Sequence, residues 1–524
     1  MATYYQRASF LLCSFLIVAA CSAQAGKLKT KVVLAPDAAS IDKRPIGTVI
    51  DLNDRSLFVM RLDEQPSGIL RYADAVPQFE LYDRAKLGVV RTQTPQPRLG
   101  SDPLFFETVV LLGNDPVMIA SRRDTVLGIT QLYWQKTDPN LTTGHRPFEL
   151  LCAFDTKTYG DGTKLKADEG YHDPFHAVYA PDRNHVLLYS PAVKSVKGET
   201  YCPMVMVDRN MKVVWKQTLE LPDGARFQDV TVDILGNALF MERNSKIMTD
   251  MKKDTTSYTL VMHRVNGDGV VDVDLGLGKV RFAKNVVYRS MPDSTLLIAG
   301  LYSGSTGSEE PTLGEFLGKW SPVTSKFEKI TTSTLALDAE DRAPTNNAIR
   351  IIDILPRSDG GYFLVREYFQ ETDAIDAKTA MAGLRWIHGP VVVSSLDANG
   401  KETWNETFRR LLYTTDKEVG EVFSAVYKDQ LVLVLIDNDE QVEKRKAGNK
   451  KLNYLDVKSP FSTTVIFDEK GAYKAKAILR SSGANDFIVG RRMYQFGPQE
   501  YYLSGSHKMN SSRTLPVRMD LSVD

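Results

Sequence analysis

The chain has 524 residues, 43% hydrophobic, 9% aromatic and 25% charged, an ordinary globular composition. Its 65 Lys+Arg and 65 Asp+Glu leave a formal net charge of zero. That balance argues against nucleic acid as a partner, because phosphate neutralisation needs a basic surface.

Arg7 precedes an apolar run, Ala8 to Ala20, interrupted only by Ser9 and Ser14. The run is too short to span a bilayer comfortably and is followed by small residues, so residues 1–20 read as a signal peptide. Val18-Ala19-Ala20-Cys21 resembles the bacterial lipobox, in which the cysteine is lipidated and becomes the first residue. Ala23-Gln24-Ala25 before Gly26 is the alternative, an ordinary cleavage site extending the leader to residue 25. The first reading gives an outer-membrane or periplasmic lipoprotein that touches the membrane only through its anchor. The second gives a soluble periplasmic or secreted protein.

Residues 27–524 read as one all-β domain. A turn followed by a strongly apolar strand recurs eight times, about 63 residues apart. It runs from Asn53-Asp54 before Ser56–Met60 to Gly497-Pro498 before Tyr501–Leu503, by way of Gly113–Asp115, Pro181-Asp182, Gly236-Asn237, Pro292-Asp293, Asp359–Gly361 and Lys428-Asp429. Between these lies a second turn, led by Asp or Asn: Asp83-Arg84, Asp208–Asn210, Asn266–Gly269, Asp397–Gly400 and Asp468–Gly471. Asp and Asn side chains bond nearby backbone, and Gly supplies positive φ. Two hairpins per unit make a four-stranded antiparallel sheet with two apolar faces, and radial stacking buries both. The expected fold is a β-propeller of eight blades, with seven as the alternative. The last unit lacks an outer strand, and Leu28–Leu34 is the spare strand that would complete it and close the ring.

Four stretches carry possible chemistry. Tyr171-His172-Asp173-Pro174-Phe175-His176, in the connection from the second unit to the third, groups two histidines and a carboxylate; Pro174 prevents a helix from aligning them. Asn266–Asp274 has the core of a calcium loop but lacks its charged ends, which leaves a hairpin turn. Glu443-Lys444-Arg445-Lys446 with Lys450-Lys451 and Tyr454 forms a basic loop able to meet an anionic group. Gly314–Trp320 has the wrong spacing for a phosphate loop. Cys152 and Cys202 lie in strands and could pair, though each also reads as a small buried hydrophobe. No catalytic residue can be assigned, and neither a metal nor a cofactor is expected.

Leu396-Asp397-Ala398-Asn399-Gly400-Lys401-Glu402-Thr403-Trp404 resembles the repeat of quinoprotein-like propellers, and Asp208 to Trp215 is a second copy without the Gly. This resemblance implies the fold and no quinone cofactor, since adjacent cysteines are missing. The layout around Ile298–Ser303, Leu313–Trp320 and Val391–Trp404 also resembles uncharacterised exported propeller proteins of Bacteroidota, which implies no activity.

Both kinds of short turn belong to one face of such a ring. The long connections, Asp155–His176, Asn244–Ser257, Ser303–Thr312, Gln370–Met381 and Asp437–Ser459, belong to the other. The leading expectation is therefore a noncatalytic binding or scaffold protein of the bacterial envelope. Its long-loop face, with ligand-binding candidates Tyr171, His172, Asp173, His176, Lys444 and Arg445, would meet a protein or glycan. The alternatives are a glycan-active hydrolase or lyase with its site at the channel mouth, and an outer-membrane assembly factor.

Overall fold

The computed structural model describes residues 28–36, 46–62, 77–113, 115–124, 129–142, 146–155, 175–190, 193–194, 200–221, 225–250, 253–291, 293, 295–306, 311–335, 338, 341, 348–375, 382–414, 420–452, 460–480, 487–506 and 514–523. Cys21, Tyr171, His172, Asp173 and Tyr454 lie outside these residues.

Alternating apolar strands and Asx-led turns fold into eight antiparallel blade sheets built on four strands, two of them carrying a short fifth strand, and a separate two-stranded pair at Arg98–Leu99 and Asp102–Pro103. Blades 1 to 8 span 46–93, 105–155, 176–221, 225–273, 282–334, 349–408, 423–479 and 487–523. Burial gives the radial order. Second strands such as Leu296–Ser303 and Gln430–Asp437 are buried at every position, whereas fourth strands such as Val89–Gln93 and Gly269–Val273 are largely exposed. The first strands of successive blades approach one another around the axis.

Eight apolar cores hold the ring, one at each blade boundary. Phe58, Phe79 and Phe106 join blades 1 and 2, and Met206, Trp215 and Phe240 join blades 3 and 4. The circuit closes where Val59 and Tyr82 of blade 1 pack with Tyr502 and Leu515 of blade 8. Leu28–Leu34 pairs antiparallel with the third strand of blade 8, from Leu28↔Val523 to Leu34↔Val517. The expected eight-bladed propeller, closed by its N-terminal strand, is thus the observed fold. An open arc would leave two sheet faces and a strand edge unpaired.

The short-turn face is built as the residue types dictate. Asp397 Oδ1 accepts from the N–H groups of Asn399 and Lys401 at 2.8 and 2.9 Å, and Asp208 and Asp468 repeat the arrangement. Gly471 has φ 85°, and a Cβ there would lie 2.9 Å from the Trp404 ring. Trp404 donates Nε1–H to the Glu469 carbonyl of blade 7 at 2.9 Å, and Trp215 does the same to Gly236 of blade 4. These two tryptophans are therefore clamps from one blade onto the next. Asn266–Gly269 is a hairpin turn, with Asp268 N–H donating to Asn266 Oδ1.

The opposite face departs from expectation in two connections. Asn244–Ser257 is not a loop. The second and third strands of blade 4 stay paired out to Asp250↔Lys253, well past the neighbouring strands. Likewise the strands of blade 6 stay paired out to Ile375↔Ala382. Both connections are β-ribbons.

Candidate functional site in the central channel

The basic stretch at Lys444 and Arg445 folds as a helix, Asp439–Lys446, rather than a loop. The sequence favours it. Asn438 caps the helix through Gln441 N–H at 2.8 Å, Asp439 and Glu440 occupy the first turn, and Lys444, Arg445 and Lys446 the last, opposing the helix dipole. Lys444 pairs with Glu440 at 2.8 Å. Arg445 turns inward to Asp437, donates to the Arg409 carbonyl at 2.8 Å and lies over the Phe408 ring. Gln441 clips the helix to the backbone of Leu411. Only the outer flank of this helix faces solvent.

His176 is not a loop residue. It opens the first strand of blade 3, exposed, with its ring 5.6 Å from that of Tyr189. Blades 3 and 7 stand four apart in a ring of eight, so the fold sets His176 and the Lys444–Arg445 helix on opposite sides. They do not form one cluster.

The position of His176 points to a different set of residues. Each first strand can be counted from the first pair whose second-strand residue packs toward the preceding blade: Tyr179↔Val186 in blade 3, Val232↔Ala238 in blade 4, Pro356↔Tyr362 in blade 6. Three rungs on, the facing pairs are His176↔Tyr189, Asp229↔Met241 and Asp353↔Val365. In blades 4 and 6 the ladder skips one residue just before the aspartate, a bulge that re-aims the side chain.

The two aspartates share one local geometry. Asp229 Oδ1 accepts from Val230 N–H, and Asp353 Oδ1 from Ile354 N–H, both at 2.9 Å. The other oxygen differs. In Asp353 it takes Arg289 of blade 5 at 2.5 Å and Ser424 of blade 7 at 2.6 Å, so one carboxylate ties three blades at the channel wall. In Asp229 it takes no protein donor among the described residues. Asp229 lies close enough to Tyr189 of blade 3 and Tyr288 of blade 5 for its charge to raise both phenols. Burial pushes the Asp229 carboxyl up to about 7, with the Val230 N–H opposing. The Tyr288 hydroxyl is shielded from solvent and has no hydrogen-bond partner among the described residues. Sequence reasoning missed this site. Its signal is an aspartate inside an apolar strand, four residues before the turn, in both Asp229-Val230-Thr231-Val232-Asp233 and Asp353-Ile354-Leu355-Pro356-Arg357.

A second polar centre lies within blade 6. Glu367 is fully buried and meets Arg350 at 2.7 Å, His388 Nδ1 at 3.0 Å, and Arg410. Burial alone would raise its pKa, but Arg350, His388 and Arg410 overcome this and hold it well below the carboxylate range. Arg410 also donates to the Gly420 carbonyl at 2.7 Å, which fixes the connection into blade 7.

Chemically, the channel offers one titratable carboxylic acid with phenols beside it. Asp353 is ion-paired, and among the described residues no other acid shifts Asp229. Among the described residues, no three His, Cys, Asp or Glu side chains converge as metal ligands. Cys152 and Cys202 are free thiols in different blades, and burial pushes Cys152 up to about 12 and Cys202 well above its ordinary value, the opposite of a reactive thiolate.

No family model and no curated protein matches the chain. Among solved structures, the WD40 domain of SCAP from fission yeast aligns at 8% identity and TM-score 0.40, covering 94% of this chain and 98% of that one. A protein of unknown function from Bacteroides caccae aligns at 11% identity and TM-score 0.23, covering 63% and 90%. Penicillium chrysogenum alpha-L-arabinanase aligns at 9% identity and TM-score 0.29, covering 59% and 98%. At these scores the fold assignment rests on the chain's own sheet order, and no activity follows from the likeness.

Proposed function

We propose that this chain is a noncatalytic binding or scaffold protein of the bacterial cell envelope, presenting its long-connection face to a protein or glycan. The observation that carries the reading is the inequality of the two faces. On one, the aspartates are consumed by their own turns. On the other stand two projecting β-ribbons and a capped helix held rigidly to its neighbours. The ribbon strands pair only with each other beyond Asn244 among the described residues, and free strand edges favour a protein partner. The envelope location rests on the leader and on Cys21, which we assign as the lipidated first residue of the mature chain.

The test is removal of residues 246–257, and separately the pair Lys444→Glu with Lys446→Glu, followed by thermal unfolding and crosslinked pull-down from envelope extracts. Folding should persist and partner capture should fall. Normal capture by these variants, with loss in folded Asp208→Ala, would put function on the other face. Cys21→Ala should release the protein from membranes; an unmodified chain starting at Gly26 would remove the anchor.

A further inference from the structure

The two equivalent aspartates can be compared neighbour by neighbour. Arg289, which holds Asp353 from the preceding blade, faces Leu297, one rung from the pair Ser290↔Leu296 that opens its second strand. The same rung in blade 3, preceding Asp229, is Val178↔Leu187. Ser424, which holds Asp353 from the following blade, faces Leu433, two rungs from Val426↔Leu431. The same rung in blade 5, following Asp229, is Tyr288↔Ile298. The Asp229 site therefore keeps a hydroxyl, that of Tyr288 in blade 5, but has Val178 of blade 3 where the Asp353 site has Arg289. Val178 and Tyr189 pack with Val230 on the boundary of blades 3 and 4, and Tyr288 on that of blades 4 and 5; the Asp229 charge reaches both phenols.

We propose that the channel wall between blades 3, 4 and 5 binds an alkyl guanidinium or ammonium group, seated on the free oxygen of Asp229 where Arg289 sits at Asp353. Three observations converge on it. Among the described residues Asp229 has an unused acceptor and the shielded Tyr288 hydroxyl has no partner, and the internal copy of the site shows which group completes it. Asp229, Tyr189 and Tyr288 are intermediate in burial as whole residues, with the Tyr288 hydroxyl itself shielded, and two phenol rings beside a carboxylate suit a cation. The groups facing Asp229 are Tyr189, with His176 against it and Cys202 behind, Tyr288, and the Val230 N–H. None of the shifts resolved on Asp229 comes from a cation of the chain. The inference is independent of which face carries a partner.

The source of the cation, a small amine or an arginyl side chain, is separated by two probes, agmatine and the blocked peptide Gly-Arg-Gly, titrated calorimetrically into the full mature chain. At least one should bind at pH 8, about ten-fold more weakly at pH 6 as the carboxyl protonates. His176→Gln should keep that pH dependence, since the ring of His176 lies against Tyr189 and not among the shifts on Asp229. Asp229→Asn should abolish binding. Val178→Arg, which leaves Asp229 in place, should abolish it too and raise the unfolding temperature by supplying the cation internally. The proposal is overturned if neither probe binds the folded wild type at millimolar concentration, or if folded Asp229→Asn or Val178→Arg binds as the wild type does.

Discussion

Asp229 and Asp353 occupy one rung of one repeat, with the same bulge and the same bond to the following N–H, yet only Asp353 is finished. Asp353 is a fastener across three blades, and its partners neutralise it. Asp229 is an acid among phenols, and burial holds it near neutrality. Repetition supplies the position, and a single neighbouring residue, Arg289 or Val178, decides between stability and availability. Carboxylates elsewhere extend the series, from the buried Glu367 with Arg350, Arg410 and His388 around it to the turn aspartates that bond their own backbone.

The largest effect is expected at the fully paired end. Glu367→Gln leaves Arg410 buried without its counter-charge, leaves Arg350 with Glu421 alone and weakens the bond to His388, and should cost about 3–5 kcal/mol in denaturant unfolding. Glu367 is held below its ordinary range, so its contribution is present above the unfolded pKa, about 4.3, and is lost as pH falls through the lower folded value. The difference from wild type should therefore close in acid. A difference that stays constant would mean that packing, not charge, is what Glu367 supplies.

Asp353→Asn should cost about 2 kcal/mol, less than Glu367 because Arg289 and Asp353 both keep some solvent contact. Asp229→Asn should do the opposite. Its folded pKa of about 7 lies above the unfolded value, so the native state is favoured in acid and loses stability as pH rises from about 4 to 7. The variant should match the wild type near pH 4 and exceed it by about 2 kcal/mol at pH 8, the full linkage value being reduced by solvent in the channel. A variant destabilised at pH 8 would show that Asp229 has a partner after all and that the two sites are alike.

Much of this was legible in the sequence. The blade count, the phase of the units and the closure by Leu28–Leu34 followed from turn chemistry and strand spacing, because Asp, Asn and Gly are required at those turns whatever surrounds them. Lys428 and Asp429 show the limit: both adopt positive φ in a turn that contains no Gly. The ribbons were read as loops because strands extending past their sheet need no apolar face on which a period of two could show. The helix 439–446 was missed because it has almost no apolar stripe and is held by Gln441 and Arg445 reaching another connection, which spacing does not reveal. The Asp229 site was the least visible. It depends on what blade 3 lacks, and only register shows which residues are neighbours across a blade boundary.

The smallest effect tests the unexceptional end of the series. Asp397 Oδ1 accepts two N–H bonds within its own turn, and Asp397→Ala removes both. The turn also keeps its backbone bonds, Gly400 N–H to the Asp397 carbonyl and Asp397 N–H to the Lys401 carbonyl, at 2.9 Å. The N–H groups released are exposed and can turn to solvent, so the loss should be about 1 kcal/mol. Because that carboxylate is already committed to local geometry, the same substitution should leave agmatine affinity and partner capture unchanged. A folded Asp397→Ala protein that loses its partner would show that the turn aspartates do more than shape turns, and the division between finished and available carboxylates would have to be redrawn on the short-turn face.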